Sequence, residues 1–297
     1  MKQVFPNPIA YCSRLAYFRS EFLRSRIRAL ARSKTDSRDA VGLYVRPRDL
    51  VGASIIADGV YEAHLLEALR TLVIKNRGSN PPGIAIDVGA NIGNHTLVFS
   101  EFFPRVLAFE PHPATALVLR ANVLLSGRSN IEVHAIGLGA SNESLSLFSP
   151  IDNQGEASFV GRSNQTDSVN VVPCCRGDDV LAAILSAEDR VELVKIDAEG
   201  FERQVLDGMA GTVARHTPWV AFEAHGKQDA SLTASRLSTL GYEHFYSIGR
   251  RHEQTGQSAI RRFAARIRYG ADSFVFEIDE FEDRFYGLIL STVRPLE

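Results

Sequence analysis

The feature that most constrains the fold is an alternation of short, β-rich apolar runs with helical patterns from residue 83 onward. Strands that alternate with helices favour a parallel sheet covered on both faces, so the predicted fold class is α/β with a doubly wound sheet. We predict strands at Gly83–Val88, Arg105–Phe109, Ile131–Leu138, Val191–Ile196 and Pro218–Glu223. We predict helices at Asn91–Phe103, Pro113–Leu125, Asp178–Leu185, Glu202–Ala214 and Leu232–Leu240.

Two regions depart from this alternation. Residues 141–173 interleave Ser, Asn, Gln and Gly with short β-like runs. The final two predicted strands, Tyr242–Ile248 and Ser273–Ile278, have no clear helix between them, which predicts an antiparallel edge to the mostly parallel sheet.

Charge divides the chain into an arm of residues 1–40 and a main domain of residues 41–297. The arm carries nine Lys and Arg against three Asp and Glu, and its pattern predicts a helix over Tyr11–Ala31. A basic amphipathic helix can lie on a membrane surface or dock a partner, and packing on its own domain or on a second subunit is the alternative. The main domain is acidic, with 24 basic against 32 acidic residues, so we expect no nucleic-acid partner.

Three observations predict a cytoplasmic location. No apolar run approaches the roughly 18 residues of a membrane-spanning helix. Pro6, Asn7 and Pro8 stand where a secretory signal would carry its apolar core. The three cysteines are an odd number, which favours reduced thiols.

The strongest local motif is the run from Asp87 to Gly93, DVGANIG, between a predicted strand and helix. Gly89 permits a tight turn, and Gly93 lets the start of the helix approach a bound ligand. A dinucleotide-binding turn needs further glycines at the positions of Asn91 and Asn94, so a nicotinamide cofactor is disfavoured.

Glu110 ends the second predicted strand, where an acidic residue binds the ribose hydroxyls of an adenosine cofactor. Ile136 and Gly137 lie at the end of the third strand, where we expect an adenine to pack. An acidic strand end, a glycine turn and a ribose carboxylate suit a cofactor made of adenosine and an amino acid. A purely structural strand–turn–helix is the alternative.

Four blocks of the sequence resemble the FkbM family of S-adenosylmethionine-dependent methyltransferases, in the order of that family. They are Gly59–Glu62 (GVYE), Ile86–Thr96 (IDVGANIGNHT), Lys195–Glu202 (KIDAEGFE) and Phe222–His225 (FEAH). The resemblance covers roughly residues 41–248 and the closing strands. It implies a class I methyltransferase fold with strand order 3-2-1-4-5-7-6, S-adenosyl-L-methionine as cofactor, and O-methylation as the usual reaction.

Asp197 and Glu199 follow the fourth predicted strand, at the sheet edge where open α/β folds bind ligands. A carboxylate there can take a proton from an acceptor hydroxyl or hold a cationic sulfonium, and capping of the next helix is the alternative. His225, after the fifth strand, is a natural proton acceptor, and Asp197, Glu223 and His225 could also hold a divalent metal, although their spacing does not establish one. We therefore predict Asp197, Glu199 and His225 as catalytic residues and assign no metal ligands.

The predicted cofactor-binding residues are the acids and glycines above, with their neighbours. They are Asp87, Gly89, Asn91, Gly93, Asn94, Glu110, Ile136, Gly137 and Asp197. The sequence thus predicts an O-methyltransferase whose partner is a small-molecule or saccharide acceptor, such as a sugar, a glycan precursor or a secondary metabolite. A nicotinamide-dependent oxidoreductase and a non-catalytic cofactor-binding module are the alternatives.

Overall fold

The computed structural model describes most of the main domain and short pieces of the N-terminal arm. The described residues are 2–3, 9–10, 19–20, 22–24, 37–38, 43–45, 50–58, 60–77, 83–150, 157–159, 167–250 and 272–297. Most of the predicted N-terminal helix lies outside these residues, and so do residues 251–271 between the last two predicted strands.

Strands and helices alternate through the centre of the chain. The strands are β1 (Lys2–Gln3), β2 (Ile9–Ala10), β3 (Ser37–Arg38), β4 (Tyr44–Val45), β5 (Ile84–Val88), β6 (Arg105–Phe109), β7 (Ile131–His134), β8 (Gly137–Gly139), β9 (Glu143–Pro150), β10 (Asp167–Arg176), β11 (Val191–Ile196), β12 (Trp219–Ala224), β13 (His244–Arg250), β14 (Asp272–Glu277) and β15 (Tyr286–Thr292). The helices are α1 (Leu50–Asp58), α2 (Ala63–Arg77), α3 (Asn94–Phe99), α4 (Pro113–Ser126), α5 (Gly177–Ile184), α6 (Glu202–Gly208), α7 (Ala210–His216) and α8 (Lys227–Ser238).

The main sheet has the strand order β1-β14-β13-β15-β12-β11-β5-β6-β7. The five strands β7, β6, β5, β11 and β12 are parallel. Strand order reverses between β5 and β11, because β6 and β7 lie on one side of β5 while β11 and β12 lie on the other. The predicted α/β class with a doubly wound, mostly parallel sheet is confirmed.

The prediction for the last strands was wrong in one respect. Ser273–Ile278 does pair antiparallel with the strand at 244–250, but it is not the final strand. Tyr286–Thr292 follows it and inserts between β12 and β13, antiparallel to both. With Tyr286–Thr292 as the seventh strand, the order is the expected 3-2-1-4-5-7-6, and β14 adds a strand outside it.

The third predicted strand, Ile131–Leu138, is two strands in the structure. Residues 131–134 join the main sheet, whereas Gly137–Gly139 turns away and pairs with β10. The irregular region after it forms the antiparallel pair β9 and β10, so β8, β10 and β9 make a separate three-stranded sheet. The bend between the two sheets leaves Ile136 and Gly137 at the ligand edge.

Helix boundaries also differ from the predictions. The helix predicted over Asn91–Phe103 is limited to Asn94–Phe99, because the glycine turn extends through Gly93. The helix predicted over Glu202–Ala214 is divided at Met209, whose φ of −105° and ψ of 11° are not helical. A Cβ on the preceding Gly208 would lie 1.7 Å from the Gly139 carbonyl oxygen, so helix and sheet backbones are in direct contact here.

Two apolar clusters cover opposite faces of the sheet, as the alternation of side chains along each strand requires. Ile84, Ile86 and Val88 pack against helices α5 to α8, whereas Ala85 packs on the face covered by α2 and α3. Asp87 has the odd-numbered register of Ala85, but its carboxylate contacts the polar groups of Thr96 and Lys195. Among the described residues, no helix has both the length and the apolar character needed to cross a bilayer.

Candidate active site

The candidate site is a cleft at the carboxyl ends of the central strands, where the strand order reverses. Open α/β sheets bind ligands at this position. The cleft holds about 580 Å³ of free space, including its open mouth, which is within the range of small-molecule sites. It is lined by Val88, Gly89, Asn91, Phe109, Glu110, Pro111, Ile136, Gly137, Leu138, Leu147, Ala157, Phe159, Asp197, Ala198 and Glu199.

The glycine turn brings the ends of β5 and β11 into contact. Gly89 has a φ of 74°, and a Cβ there would lie 1.8 Å from the carbonyl oxygen of Asp197. No other residue type fits this position without moving the backbone. Gly93 has a φ of 97° and packs on Leu119 of α4, so it shapes the start of the helix without lining the cleft.

Glu110 is a buried carboxylate held by two backbone N–H groups. The amide of Asn91 donates to Oε2 at 2.9 Å, and the amide of His112 donates to Oε1 at 2.8 Å. Burial raises the pKa of Glu110 to about 7, although both hydrogen bonds favour the ionised form. His112 caps α4, because its Nδ1 accepts a hydrogen bond from the amide of Thr115 at 3.2 Å.

A buried lysine joins the two strands at the switch point. Lys195 Nζ lies 3.3 Å from Asp87 Oδ1 and 3.2 Å from Asp197 Oδ2, and it donates to the Gly89 carbonyl at 3.3 Å. These carboxylates raise the pKa of Lys195 above its ordinary value despite burial, and Lys195 helps to lower the pKa of Asp197. The other oxygen of Asp87 accepts a hydrogen bond from the Thr96 hydroxyl at 2.6 Å. Asp87 is therefore a structural partner beneath the cleft.

Asp197 and Glu223 share a hydrogen bond from neighbouring strand ends. Burial and the charge of Asp197 raise the pKa of Glu223 far above its ordinary value. Glu223 is therefore protonated, and its carboxyl donates the hydrogen bond to Asp197, which stays ionised beside Lys195. Burial also raises the pKa of Tyr61, and the negative charges of Glu62 and Asp197 add to the shift.

His225 and Glu199 form an imidazole–carboxylate pair at the mouth of this group. His225 Nε2 lies 3.3 Å from Glu199 Oε2 and 3.7 Å from Glu223 Oε1. The backbone N–H of His225 donates to Asp229 at 3.0 Å, which fixes the chain beneath the ring. The His225 side chain is 46% exposed, so a substrate can reach it from solvent.

Glu199 has the left-handed φ of 51°, which is strained for a residue with a side chain. The Ser158 hydroxyl donates to its carbonyl at 2.7 Å. Glu202 Oε1 accepts hydrogen bonds from the amides of Ala198 and Gly200 at 2.9 and 3.2 Å, which fixes the loop. Helix α6 has Phe201 at its N-cap, with no side-chain capping bond, so Asp197 and Glu199 do not act as caps.

A second imidazole–carboxylate pair lies near Asp197. His95 Nε2 is 3.5 Å from Glu62 Oε2, and the positive charge that His95 can carry favours ionised Asp197. Glu62 has a φ of 54°, and its carboxylate is hydrogen-bonded to the side chain of Tyr61. Asn94 holds this segment, because its amide side chain donates to the Tyr61 carbonyl and accepts from the Tyr61 N–H, both at 2.9 Å.

The structure separates the predicted cofactor residues into two groups. Some line the cleft, namely Gly89, Asn91, Glu110, Ile136, Gly137 and Asp197. The others, Asp87, Gly93 and Asn94, lie behind it and hold Lys195, α4 and the 61–62 segment respectively. Among the residues that the structure describes, no three His, Cys, Asp or Glu side chains are grouped to hold a metal ion.

Sequence reasoning assigned no role to Lys195, Tyr61, Glu62 or Phe159. Lys195 had a usable signal, because it is the one basic residue in the buried run VELVKI. Tyr61 and Glu62 lie in a block that carried the family resemblance. Because they are far from Asp197 along the chain, the sequence did not indicate that they lie near it. Phe159 had no sequence signal of its own.

Comparison with known proteins decides the family. A model of the methyltransferase FkbM domain matches residues 87–246, which is more than half of the chain. The chain belongs to the FkbM methyltransferase family. S-adenosylmethionine is the cofactor of this family.

The individual relatives share about a third of their residues with this chain over the regions that match. The chain is 32% identical over 143 residues to Methyltransferase 1 of Beauveria bassiana, a match covering 42% of this chain and 57% of that protein. It is 30% identical over 175 residues to the hexuronic acid methyltransferase AglP of Haloferax volcanii, covering 56% of this chain and 69% of that protein. The chain thus spans little more than half the length of the fungal relative. A crystal structure of methyltransferase FkbM from Methylobacillus flagellatus is 17% identical, with a TM-score of 0.39, over 89% of this chain and 62% of that one.

The residues of the cleft fit S-adenosylmethionine. The buried Glu110 carboxylate, held by backbone amides, is suited to accept hydrogen bonds from ribose hydroxyls. Gly89 and Gly137 line the cleft together with Glu110. Asp197 and Glu199 provide negative charge at the opposite end, which suits a cationic sulfonium.

Proposed function

We propose that the protein transfers the methyl group of S-adenosylmethionine to a hydroxyl group of a sugar, a glycan precursor or a secondary metabolite. The observation that carries the proposal is the His225–Glu199 pair, 3.3 Å apart, whose Glu199 lines the cleft together with Asp197. An imidazole oriented by a carboxylate, and reachable from solvent, is the arrangement that accepts a proton from a hydroxyl.

The residues divide the work as follows. When bound, S-adenosylmethionine supplies a methyl group activated by the positive sulfur. Glu199 holds Nε2 of His225, so that Nδ1 would take the proton of the acceptor hydroxyl. The acceptor oxygen would bond to the methyl carbon as its bond to sulfur breaks, and S-adenosylhomocysteine would leave as a neutral sulfide. Ionised Asp197 supplies negative charge near the sulfonium end, and Lys195 keeps Asp197 ionised.

The character of the site supports a polyhydroxylated acceptor. Glu62, Glu199 and Asp197 present carboxylate oxygens near one another, and such oxygens accept hydrogen bonds from hydroxyl groups. The relative from Haloferax volcanii, 30% identical, is named a hexuronic acid methyltransferase. We therefore place saccharides first among the candidate acceptors.

The experiment is a methyl-transfer assay with S-adenosylmethionine and a panel of methyl glycosides of neutral hexoses and hexuronic acids. We expect His225→Ala to lower the rate roughly 10²- to 10⁴-fold, the usual contribution of a general base, while affinity for S-adenosylhomocysteine stays unchanged. Asp197→Asn is also expected to lose transfer, and its cofactor affinity shows whether Asp197 serves the chemistry or the cofactor pocket.

His244→Ala is the matched control, because His244 Nδ1 also lies 3.7 Å from a glutamate, Glu277, but His244 begins β13 at the opposite end of the sheet from His225. Full activity in His225→Ala would remove His225 as the base and leave Asp197 or Glu199 as the candidate. Cofactor binding without transfer to any acceptor in the panel would favour a non-catalytic module.

A further inference from the structure

The ring of Phe159 forms part of the cleft wall, and its position is fixed by several contacts. A Cβ on Gly137 would lie 2.8 Å from Phe159 Cζ, so the ring lies directly against a residue without a side chain. The Phe159 ring also packs on Phe201, with centroids 4.9 Å apart and an angle of 51° between the planes.

The neighbouring Ser158 anchors the segment that carries this ring. Its hydroxyl donates to the Glu199 carbonyl, and its backbone exchanges two hydrogen bonds of 2.9 Å with Phe148 of β9. Ser158 is 2% exposed. Phe159 is therefore held against the cleft by its backbone as well as by its side chain.

The wall near Phe159 is apolar, and it lies beside the only acid at that end of the described cleft. Pro111, Ile136, Leu138 and Leu147 line it together with the ring, and Glu110 precedes Pro111 in the chain. A nucleoside whose ribose hydroxyls bind Glu110 carries its base into apolar surroundings at this end. Flat bases stack on aromatic rings, and the stacking is favourable for every base.

We propose that Phe159 is a cofactor-binding residue whose ring packs on the adenine base of S-adenosylmethionine above Gly137. Ser158 is the positioning residue that holds the ring there. The inference rests on the cofactor of the proposed function but not on its acceptor or its base. Gly137 is a glycine for the same reason, since any side chain there would displace the ring.

The test is calorimetric titration of the full chain with S-adenosylhomocysteine and, separately, with adenosine. We expect Phe159→Ala to weaken both ligands by roughly 5- to 100-fold, the scale for loss of an aromatic ring from a stacked base. Phe159→Tyr should bind as the wild type does, and Phe159→Leu should lie between the two. Phe22→Ala is the matched control, because this ring is 67% exposed and does not line the cleft.

A fluorescence titration provides a second test that does not depend on the alanine variant folding. The chain has one tryptophan, Trp219, which is buried at the start of β12 and packs against Arg77. In Phe159→Trp the added indole should be quenched by adenosine, whereas the wild-type signal should not change.

Each outcome decides the inference. Equal affinity of wild type and a folded Phe159→Ala for both ligands, or an unquenched indole in a Phe159→Trp variant that binds adenosine, would overturn the role of Phe159 and leave the methyltransferase proposal intact. Wild-type affinity for both ligands in Phe159→Leu would show that apolar packing is enough without stacking, and this result would also overturn the role of Phe159. If the wild-type protein bound neither ligand, the assigned cofactor would be wrong, and both proposals would fail.

Discussion

The two sides of the cleft are built in different ways. The Glu110 side comprises Asn91, Glu110, Ile136, Gly137 and Phe159, and the Asp197 side comprises Tyr61, Glu62, His95, Lys195, Asp197, Glu199, Glu223 and His225. On the first side the single carboxylate is held by backbone amides. On the second, ionisable side chains hold one another. Fixed backbone donors suit the recognition of a neutral nucleoside, whereas mutually shifted titratable groups suit proton transfer and charge stabilisation.

The largest expected effect comes from Lys195, on the Asp197 side. Lys195→Met leaves the carboxylates of Asp87 and Asp197 buried without their cation, and breaking a buried ion pair in this way costs about 3–5 kcal/mol of stability. Urea unfolding measures the change. Lys227→Met, which removes a solvent-exposed pair with Glu280, is expected to leave the free energy of unfolding almost unchanged. Equal stability of the two variants would show that the Asp197 side does not depend on this lysine.

The next prediction concerns the Glu110 side, where affinity for S-adenosylhomocysteine should depend on pH. In the cofactor-free protein the pKa of Glu110 is raised to about 7 by burial, and ribose hydroxyls that donate to the carboxylate favour its ionised form. Affinity for S-adenosylhomocysteine should therefore rise as pH increases from 6 towards 8 and level off above the pKa. Glu110→Gln should weaken binding by about 1–3 kcal/mol and remove this pH dependence. A pH dependence that persists in Glu110→Gln would assign it to another group.

The smallest effect concerns Asn94, which holds Tyr61 on the Asp197 side. Asn94→Ala removes two hydrogen bonds to the backbone, and each contributes about 1 kcal/mol to stability. Methyl transfer should fall, because Tyr61 and Glu62 lose their support, while cofactor affinity should stay the same.

Asn130→Ala is the matched control, since Asn130 bonds the carbonyls of Ser100 and Phe103 away from the cleft. It should lose similar stability and keep its methyl-transfer rate. A drop in the methyl-transfer rate of the same size in both variants would contradict a specific role for the two hydrogen bonds between Asn94 and Tyr61.

The same contrast explains what the sequence could predict. The Glu110 side follows from a strand, a glycine turn and the end of the next strand, so its residues lie within one local pattern. Glu62 and His95 contact each other, and both are far from Asp197 along the chain. No rule of sequence spacing therefore predicts that this pair lies near Asp197. Lys195 was hidden because a lysine in a buried strand has meaning only once Asp87 and Asp197 are found beside it.

The fold was predictable to a similar extent. The parallel strands have continuous apolar runs because helices cover both their faces, which makes them easy to recognise. Strand β15 escaped prediction, because its insertion between β12 and β13 is decided by pairing with distant strands. The split between β7 and β8 was also missed, since the bend that separates them depends on the second sheet.

Titration of His225→Ala and Glu110→Gln with S-adenosylhomocysteine, together with their methyl-transfer rates, tests the division of the cleft most directly. We predict that His225→Ala binds the cofactor product with wild-type affinity and transfers roughly 10²- to 10⁴-fold more slowly. Glu110→Gln should bind it about 5- to 150-fold more weakly, which corresponds to losing a hydrogen bond to a charged group. Cofactor binding that is lost in His225→Ala and retained in Glu110→Gln would contradict this assignment of the two sides.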